Sequence, residues 1–544
     1  MSTNTSKQTA DDAAKAASNH PLTSRKLVTN FLGVGQLALL TLVVVASLRS
    51  LPAMAVYGLG SVTLYIIPAI FFLIPTALVA AELATGWKGG VYVWVREAFG
   101  NRWGFTAVWL QWIQNVVWYP TQIAFIAAAL AFVFLDPSLS SSGLFTAIII
   151  LVLYWGSTLI TLRGGNLFAK LGSWGGIIGT LLPAVLLIIF GFIWLGTGEK
   201  SEVPLDAAAI IPPFTGIASI VLIVSNVLAY AGMEVNAVHV NQMKDPGRGY
   251  PKSVFLAAVL ILLVFILPTL AISIAVPEKQ LGLTNGIMLA FQEYFDHWGL
   301  GWATAVVSAL IAAGALASVI TWIAGPSKGL LAAAETGLLP PALQKRNKEG
   351  VQSGILMLQG TIVTILAAIF VVLPNVSGAF VALVDMAAAL YLIMYLLMFA
   401  AAIRLRRTKP DVKRTYRVPA MNLVAGVGFL ACLAAFVLAF IPPSGFDTFP
   451  EAAYPWIVGL VIVFLGAPPL LFYALRRPNW DRRSAADKAK SGTHEEDDAD
   501  DGTGQAATAG QASRAASPPF SSSPPPSPPQ GSSGSTRPPT GGAT

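Results

Sequence analysis

Four ionisable side chains stand inside runs of residues otherwise fit for a lipid interior: Arg49, Glu82, Glu234 and Asp385. A charge at mid-bilayer depth costs at least about 2.5–3.5 kcal/mol unless it faces a cavity or a partner, so each is a functional position by default. The chemistry open to them is ligand binding and proton exchange. An arginine fork grips carboxylates through paired hydrogen bonds. Group-transfer chemistry finds no support: there is no glycine-rich phosphate loop with its lysine and no His/Cys metal spacing. No metal or cofactor is expected. Glu82, in Ala80–Thr85, reads as the partner of a basic loop residue. His239 reads as an ordinary hydrogen-bonded residue near a helix end.

The elements that must position these groups are interrupted helices. Arg49 sits in Ser47-Leu48-Arg49-Ser50-Leu51-Pro52, where Pro52 removes a backbone donor and two serines can satisfy freed backbone groups. Glu234 follows Asn226 and Tyr230 at four-residue intervals, one face of a continuous helix, with Gly232 able to let the chain unwind. The alternative for Gly232 is a packing glycine, common in membrane helices. If spans 1–5 and 6–10 are inverted repeats, these two breaks correspond, and such a coincidence points to a midplane binding site. Half-helix ends would then present positive dipole to a carboxylate and negative dipole to an amine.

Gln111, Gln114, Asn115, Trp118 and Gln122 form one face of span 3, suited either to interhelix hydrogen bonding or to lining a cavity. Tyr391 and Tyr395 share a face of span 10, and Asp385 lies about 80–120° round from them. Two arrangements for Arg49 are open: an ion pair with Asp385, or direct contact with a substrate carboxylate. Glu234 is expected in an apolar cavity, its protonation coupled to opening.

Of the 544 residues, 55% are hydrophobic and 11% charged, with mean hydropathy +0.67. Recurrent apolar runs of about 20 residues select an all-α membrane protein. Twelve spans are expected near 27–52, 57–83, 104–134, 143–162, 173–196, 214–240, 252–276, 301–324, 352–374, 378–403, 420–441 and 452–475. Lys200 and Lys279 are the only basic residues in the loops of one side. Apart from Arg49, all others of the 34 fall in the opposite loops and the two termini. That asymmetry puts both termini in the cytoplasm of a multi-pass protein of the cell membrane. It also accounts for the net charge of +7 without a nucleic-acid partner.

Residues 1–26 are read as a cytoplasmic tail without a cleavable signal, 27–478 as the helical domain, and 479–544 as a cytoplasmic tail disordered by composition. Cys432 is alone, so no intrachain disulfide forms. The stretch Thr284 to His297 is expected to lie flat on the outer surface as an amphipathic cap, and Gly86 to Gly100 in the inner interface.

A further set of motifs is specific in combination. Gly232-Met233-Glu234-Val235-Asn236-Ala237 leads into the run from His239 to Pro251. Gly325-Pro326-Ser327-Lys328-Gly329-Leu330 and Gly337-Leu338-Leu339-Pro340-Pro341 follow span 8. Gly89 to Val95 and Arg102-Trp103-Gly104-Phe105 lie between spans 2 and 3. With these the chain, from about Leu27 to Ala474, resembles the amino acid–polyamine–organocation superfamily, and within it the bacterial glutamate/GABA antiporters. The resemblance implies a 5+5 inverted-repeat core with discontinuous helices 1 and 6, two extra helices, and amino acid exchange or proton-coupled uptake. Glu234 then matches a glutamate linked to gating or proton coupling. Trp322 matches an aromatic packed against substrate, and Tyr391 and Tyr395 match tyrosines near the site. The chain departs from the family at Leu48-Arg49-Ser50-Leu51, where a tyrosine-rich segment is usual, and at Asp385, where a small residue is usual.

The expected function is therefore secondary transport of amino acids by alternating access, most simply antiport. A proton-coupled permease for amino acids or polyamines is the alternative, and a membrane sensor signalling through its tail is the reading from another class. Substrate contacts are expected from Arg49, Asn115, Trp118, Tyr230, Gly232, Trp322, Tyr391 and Tyr395, and proton coupling or gating from Glu234 and Asp385. Partners are amino acids, protons and the lipid bilayer. The substrate, sodium dependence and oligomeric state are left open.

Overall fold

The computed structural model describes residues 32–164, 175, 177–212, 214–446 and 448–481. The expected N-terminal tail, the beginnings of spans 1 and 5, and the tail beyond Asp481 lie outside the described residues. Among the described residues eleven helices are long and apolar enough to cross a membrane, and a bent pair, taken as one span, makes a twelfth. Among the described residues there is no β-strand, only two isolated bridges.

Span 1 is broken where Arg49 lies. Helix Val34–Val45 ends, a 3-10 turn Leu48–Ser50 follows, and Leu51–Ala55 completes the span with a 57° bend. Pro52 stands in the first turn of the second piece, where its missing N–H costs nothing. Span 6, Ile217–Val235, is interrupted as well. Helix Ile223–Ala229 stops, and Met233–Asn236 restarts beyond Gly232 at φ +103°. A side chain at that φ would be strained, so glycine is needed there and is more than a packing residue. The two breaks touch, since Ile223–Ala229 packs on Leu48–Ser50.

Span 3, Asn101–Val133, is the most deeply buried and packs on spans 8, Trp302–Ala334, and 10, Val376–Thr408. Spans 5, 11 and 12 (Ile178–Gly196, Met421–Leu438 and Tyr454–Ala474) are the most exposed and form the rim. Spans 4, 7 and 9 are Gly143–Leu162, Pro246–Ala275 and Ser353–Val372. Asn375 and Asp245 cap spans 10 and 7 by accepting hydrogen bonds from Gly378 N at 2.6 Å and Arg248 N at 3.2 Å.

Span 2, Gly58–Gly86, explains how span 6 is held. Pro68 has no N–H for the carbonyl of Leu64, and a π turn follows at Ala69–Leu73. Asn226 Nδ2 donates to that Leu64 carbonyl at 3.0 Å, and Tyr230 Oη donates to the Tyr65 carbonyl at 3.0 Å. Asn226→Ala is expected to cost about 1 kcal/mol of thermal stability in detergent, the scale of interhelix hydrogen bonds in membranes. In a double-mutant cycle with Pro68→Ala, strict additivity would reject this rivet.

Two expectations are corrected. Span 8 does not end before Gly325-Pro326 but runs on to Ala334. Ser327 Oγ donates to the Ile323 carbonyl at 2.6 Å, and Gln352 Nε2 to the Ala324 carbonyl at 3.3 Å, so side chains reinforce the helix beside the Trp322 carbonyl, whose helical donor Pro326 lacks. The amphipathic helix Gly286–His297 forms, but its apolar face, with Phe291, Tyr294 and Phe295, is buried against spans 5, 7 and 8. The cap is part of the protein core, because Phe190 of span 5 packs edge-on against Phe295 and meets the rings of Tyr294 and Trp298. The shorter helix Gly90–Phe99 packs on spans 3 and 10 at the end of the bundle that carries the basic loops.

A candidate substrate cavity with an unpaired arginine

A cavity of about 390 Å³ lies at the level of the two breaks. That is within the roughly 300–1,000 Å³ usual for small-molecule sites. Arg49, Asn115, Trp118, Trp322 and Tyr391 all line it, together with Gln114 and Gln122 of the same span 3 face. The rings of Trp118 and Trp322 approach to 6.4 Å between centroids.

Arg49 is only 3% exposed. Its Nη1 donates to Thr121 Oγ1 at 3.2 Å, and its guanidinium lies over the rings of Phe380 at 5.3 Å and Trp118 at 5.9 Å. Its Nε has no hydrogen-bond partner. Among the described residues no carboxylate lies within ion-pair reach of it, so a buried cation faces the cavity uncompensated. The ring faces supply some cation–π attraction, about 2 kcal/mol when desolvated, which falls short of a counter-charge.

The expected Arg49–Asp385 pair is not formed. Asp385 Oδ2 accepts a hydrogen bond from Tyr454 Oη of span 12 at 2.5 Å. The reason is azimuth: Phe380, which meets Arg49, is five residues from Asp385, about 140° round an ideal helix. Asp385 therefore does not line the cavity.

Tyr230, Gly232 and Tyr395 also fall outside the cavity wall, although Ala229 and Ala231 of the same break are in it. Tyr230 is turned to span 2 and stacks on Phe265 at 5.6 Å. Gly232 N donates to Tyr395 Oη at 3.0 Å. Tyr395 Oη in turn donates to Glu234 Oε2 at 2.6 Å, while Tyr391 Oη and Gln111 Nε2 donate to Oε1 at 2.5 and 3.1 Å. Instead of the apolar cavity expected for it, Glu234 has three donors from spans 3 and 10. Tyr391 is the shared element, with its ring at the cavity and its hydroxyl on Glu234.

Glu82 is paired as expected. Its Oε1 meets Arg406 and, at 3.5 Å, Arg414 Nε, and its Oε2 accepts from Val418 N at 2.6 Å. His239 Nδ1 lies 3.3 Å from Gln242 Oε1, an ordinary contact. Sequence reasoning missed Thr121, Phe380 and Tyr454. Thr121 had a signal, since it is one turn beyond Trp118 on the amide face. Phe380 and Tyr454 had none, because nothing polar or periodic separates them from other aromatic residues.

A helical bundle with two broken spans around a cavity suits a transporter, and the comparisons show that class. The model of the amino acid permease family matches residues 32–464, and the chain belongs to that family. It is an amino acid transporter, with no enzymatic role. An uncharacterised transporter of Legionella pneumophila is 41% identical over 419 residues, covering 76% of this chain and 90% of its own length. A glutamate/gamma-aminobutyrate antiporter of Lactococcus lactis is 33% identical over 446 residues, 80% of this chain and 89% of the relative. A probable agmatine/putrescine antiporter of the same species is 25% identical over 359 residues, 65% of this chain and 75% of the relative.

Proposed function

We propose that the protein exchanges amino acids across the cell membrane, and that Arg49 receives the carboxylate of the cargo. The observation that carries this is the buried, unpaired guanidinium at the cavity wall. A carboxylate brought there supplies the missing counter-charge, and an arginine fork suits it. Asn115, Trp118, Trp322 and Tyr391 share the wall with it. Tyr230, Gly232 and Tyr395 act behind it, framing the break, and Glu234 reports on occupancy through Tyr391. The basic end of the bundle and both termini face the cytoplasm, following the charge asymmetry of the loops. If spans 1–5 and 6–10 are inverted repeats, the two breaks correspond and the site is reached from either side in turn.

The same guanidinium argues against a polyamine. A dication would enter beside an uncompensated positive charge, and among the described residues no acid lines the cavity. The likeness to the glutamate/gamma-aminobutyrate antiporter supports acidic and neutral amino acids as cargo. Counterflow in proteoliposomes tests this. Purified protein loaded with unlabelled glutamate, GABA, arginine or putrescine is offered the same compound labelled. Exchange of glutamate or GABA with none of putrescine is expected. Putrescine exchange, or uptake that needs a proton gradient and no internal amino acid, would overturn the reading in favour of a permease.

A further inference from the structure

Span 10 carries a second buried carboxyl that the cavity does not use. Asp385 is 2% exposed, and Tyr454 Oη is the donor it meets. An ionised carboxylate has about four acceptor sites. Glu234 fills three of its sites from three side chains, and Asp385 fills one. Among the described residues no Lys, Arg or His lies within ion-pair reach of Asp385. We propose that Asp385 is a proton-binding site of the transporter, and that Tyr454 ties its charge to the contact between spans 10 and 12.

Among the described residues, the other titratable groups on the elements around span 10 make no ion pair with Asp385. Spans 2, 3, 6, 9, 11 and 12 and the helix Gly90–Phe99 pack against it. Glu82 of span 2 is held by Arg406, and Glu97 by Lys409 and Arg96. In span 3, Arg102 lies over Trp103, and the Tyr119 hydroxyl has no partner. Tyr92 lies under Arg96, Cys432 of span 11 is buried and free, and Arg49 of span 1 lies over Phe380. Among the described residues of these elements, only span 12 brings a titratable group, Tyr454, into hydrogen bond with Asp385.

The consequence is mechanical. A carboxylate accepts from Tyr454 with a full charge, whereas a carboxylic acid carries its own O–H and keeps only a neutral, weaker acceptor, so protonation loosens the hydrogen bond from the tyrosine. The proton comes from water and returns to it, so no other reactant is needed. Asp385 stands about 7.5 Å along the helix from Phe380 and about 9 Å from Tyr391, so a shift of span 10 is felt by both the Arg49 contact and the Glu234 cage. The inference stands whether or not the cargo assignment is right.

The test is infrared spectroscopy of the purified full-length protein in lipid, as a difference between mildly acid and mildly alkaline buffer. A protonated-carboxyl C=O band is expected to appear on the acid side in the wild type. It should vanish in Asp385→Asn, which keeps an oxygen acceptor for Tyr454, and persist in Glu234→Gln. Tyr454→Phe, which leaves Asp385 in place, should move the pH at which the band appears. A band unchanged in Asp385→Asn, or a wild type without one, overturns the proposal. Should Asp385→Asn fail to fold, an unmoved band in Tyr454→Phe overturns it equally. Counterflow is not needed for this readout, so failure of the exchange reading and failure of this one are distinguishable.

Discussion

Arg49→Ala is expected to weaken substrate binding about ten- to a hundred-fold, the roughly 1.5–3 kcal/mol of hydrogen bonds to a charged group. Half-maximal counterflow concentration, or substrate-induced thermal stabilisation, reads this directly. Arg49→Lys keeps the charge but loses the fork, so it should recover only part of the affinity. A second expectation separates binding from folding. In the absence of substrate, Arg49→Met should be at least as stable as the wild type. It removes a desolvated cation that no acid compensates and puts an apolar chain in the space between Trp118 and Phe380. If Arg49→Met melts early while keeping wild-type affinity, Arg49 is a structural residue and the cargo assignment fails.

Glu82→Ala should have the largest effect on stability, a loss of about 3–5 kcal/mol, because it leaves buried positive charge without its partner. The Arg414 side chain is 1% exposed and leans on the Trp87 ring. Arg406 also donates to the carbonyl of Val418, and Glu82 accepts from the N–H of that residue. One carboxylate thus ties spans 2 and 10 to the segment before span 11. Glu82→Gln keeps an acceptor for Val418 N and should lose less. Thermal unfolding in detergent decides the matter. A loss below about 1 kcal/mol would mean that the pair behaves like one exposed to solvent.

Much of this was legible beforehand. Hydropathy located all twelve spans, because in lipid the backbone must be satisfied within a helix. Both interruptions were visible, Pro52 and its serines in span 1 and Gly232 in span 6, since each removes a donor or permits a φ that other residues avoid. The amide face of span 3 was visible too, and Gln114, Asn115, Trp118 and Gln122 do meet in the cavity. The extent of span 8 was not, because Pro326 reads as a stop, and the side chains of Ser327 and Gln352 that brace the helix next to it are placed there only by the fold.

What the amino-acid order determined by itself is the position of each group along its own helix and its angle relative to neighbours on that helix. Tyr391 and Tyr395 share a face, and Asp385 lies well round from them, on those grounds alone. The tertiary structure decided how each helix is turned toward the others. That rotation sent Tyr230 to the Tyr65 carbonyl and left Ala229 and Ala231 at the cavity. It gave Asp385 to Tyr454 rather than to Arg49, and it placed three donors around Glu234. The physical reason is that 3.6-residue periodicity fixes relative angles within one helix, while absolute orientation follows from packing among twelve.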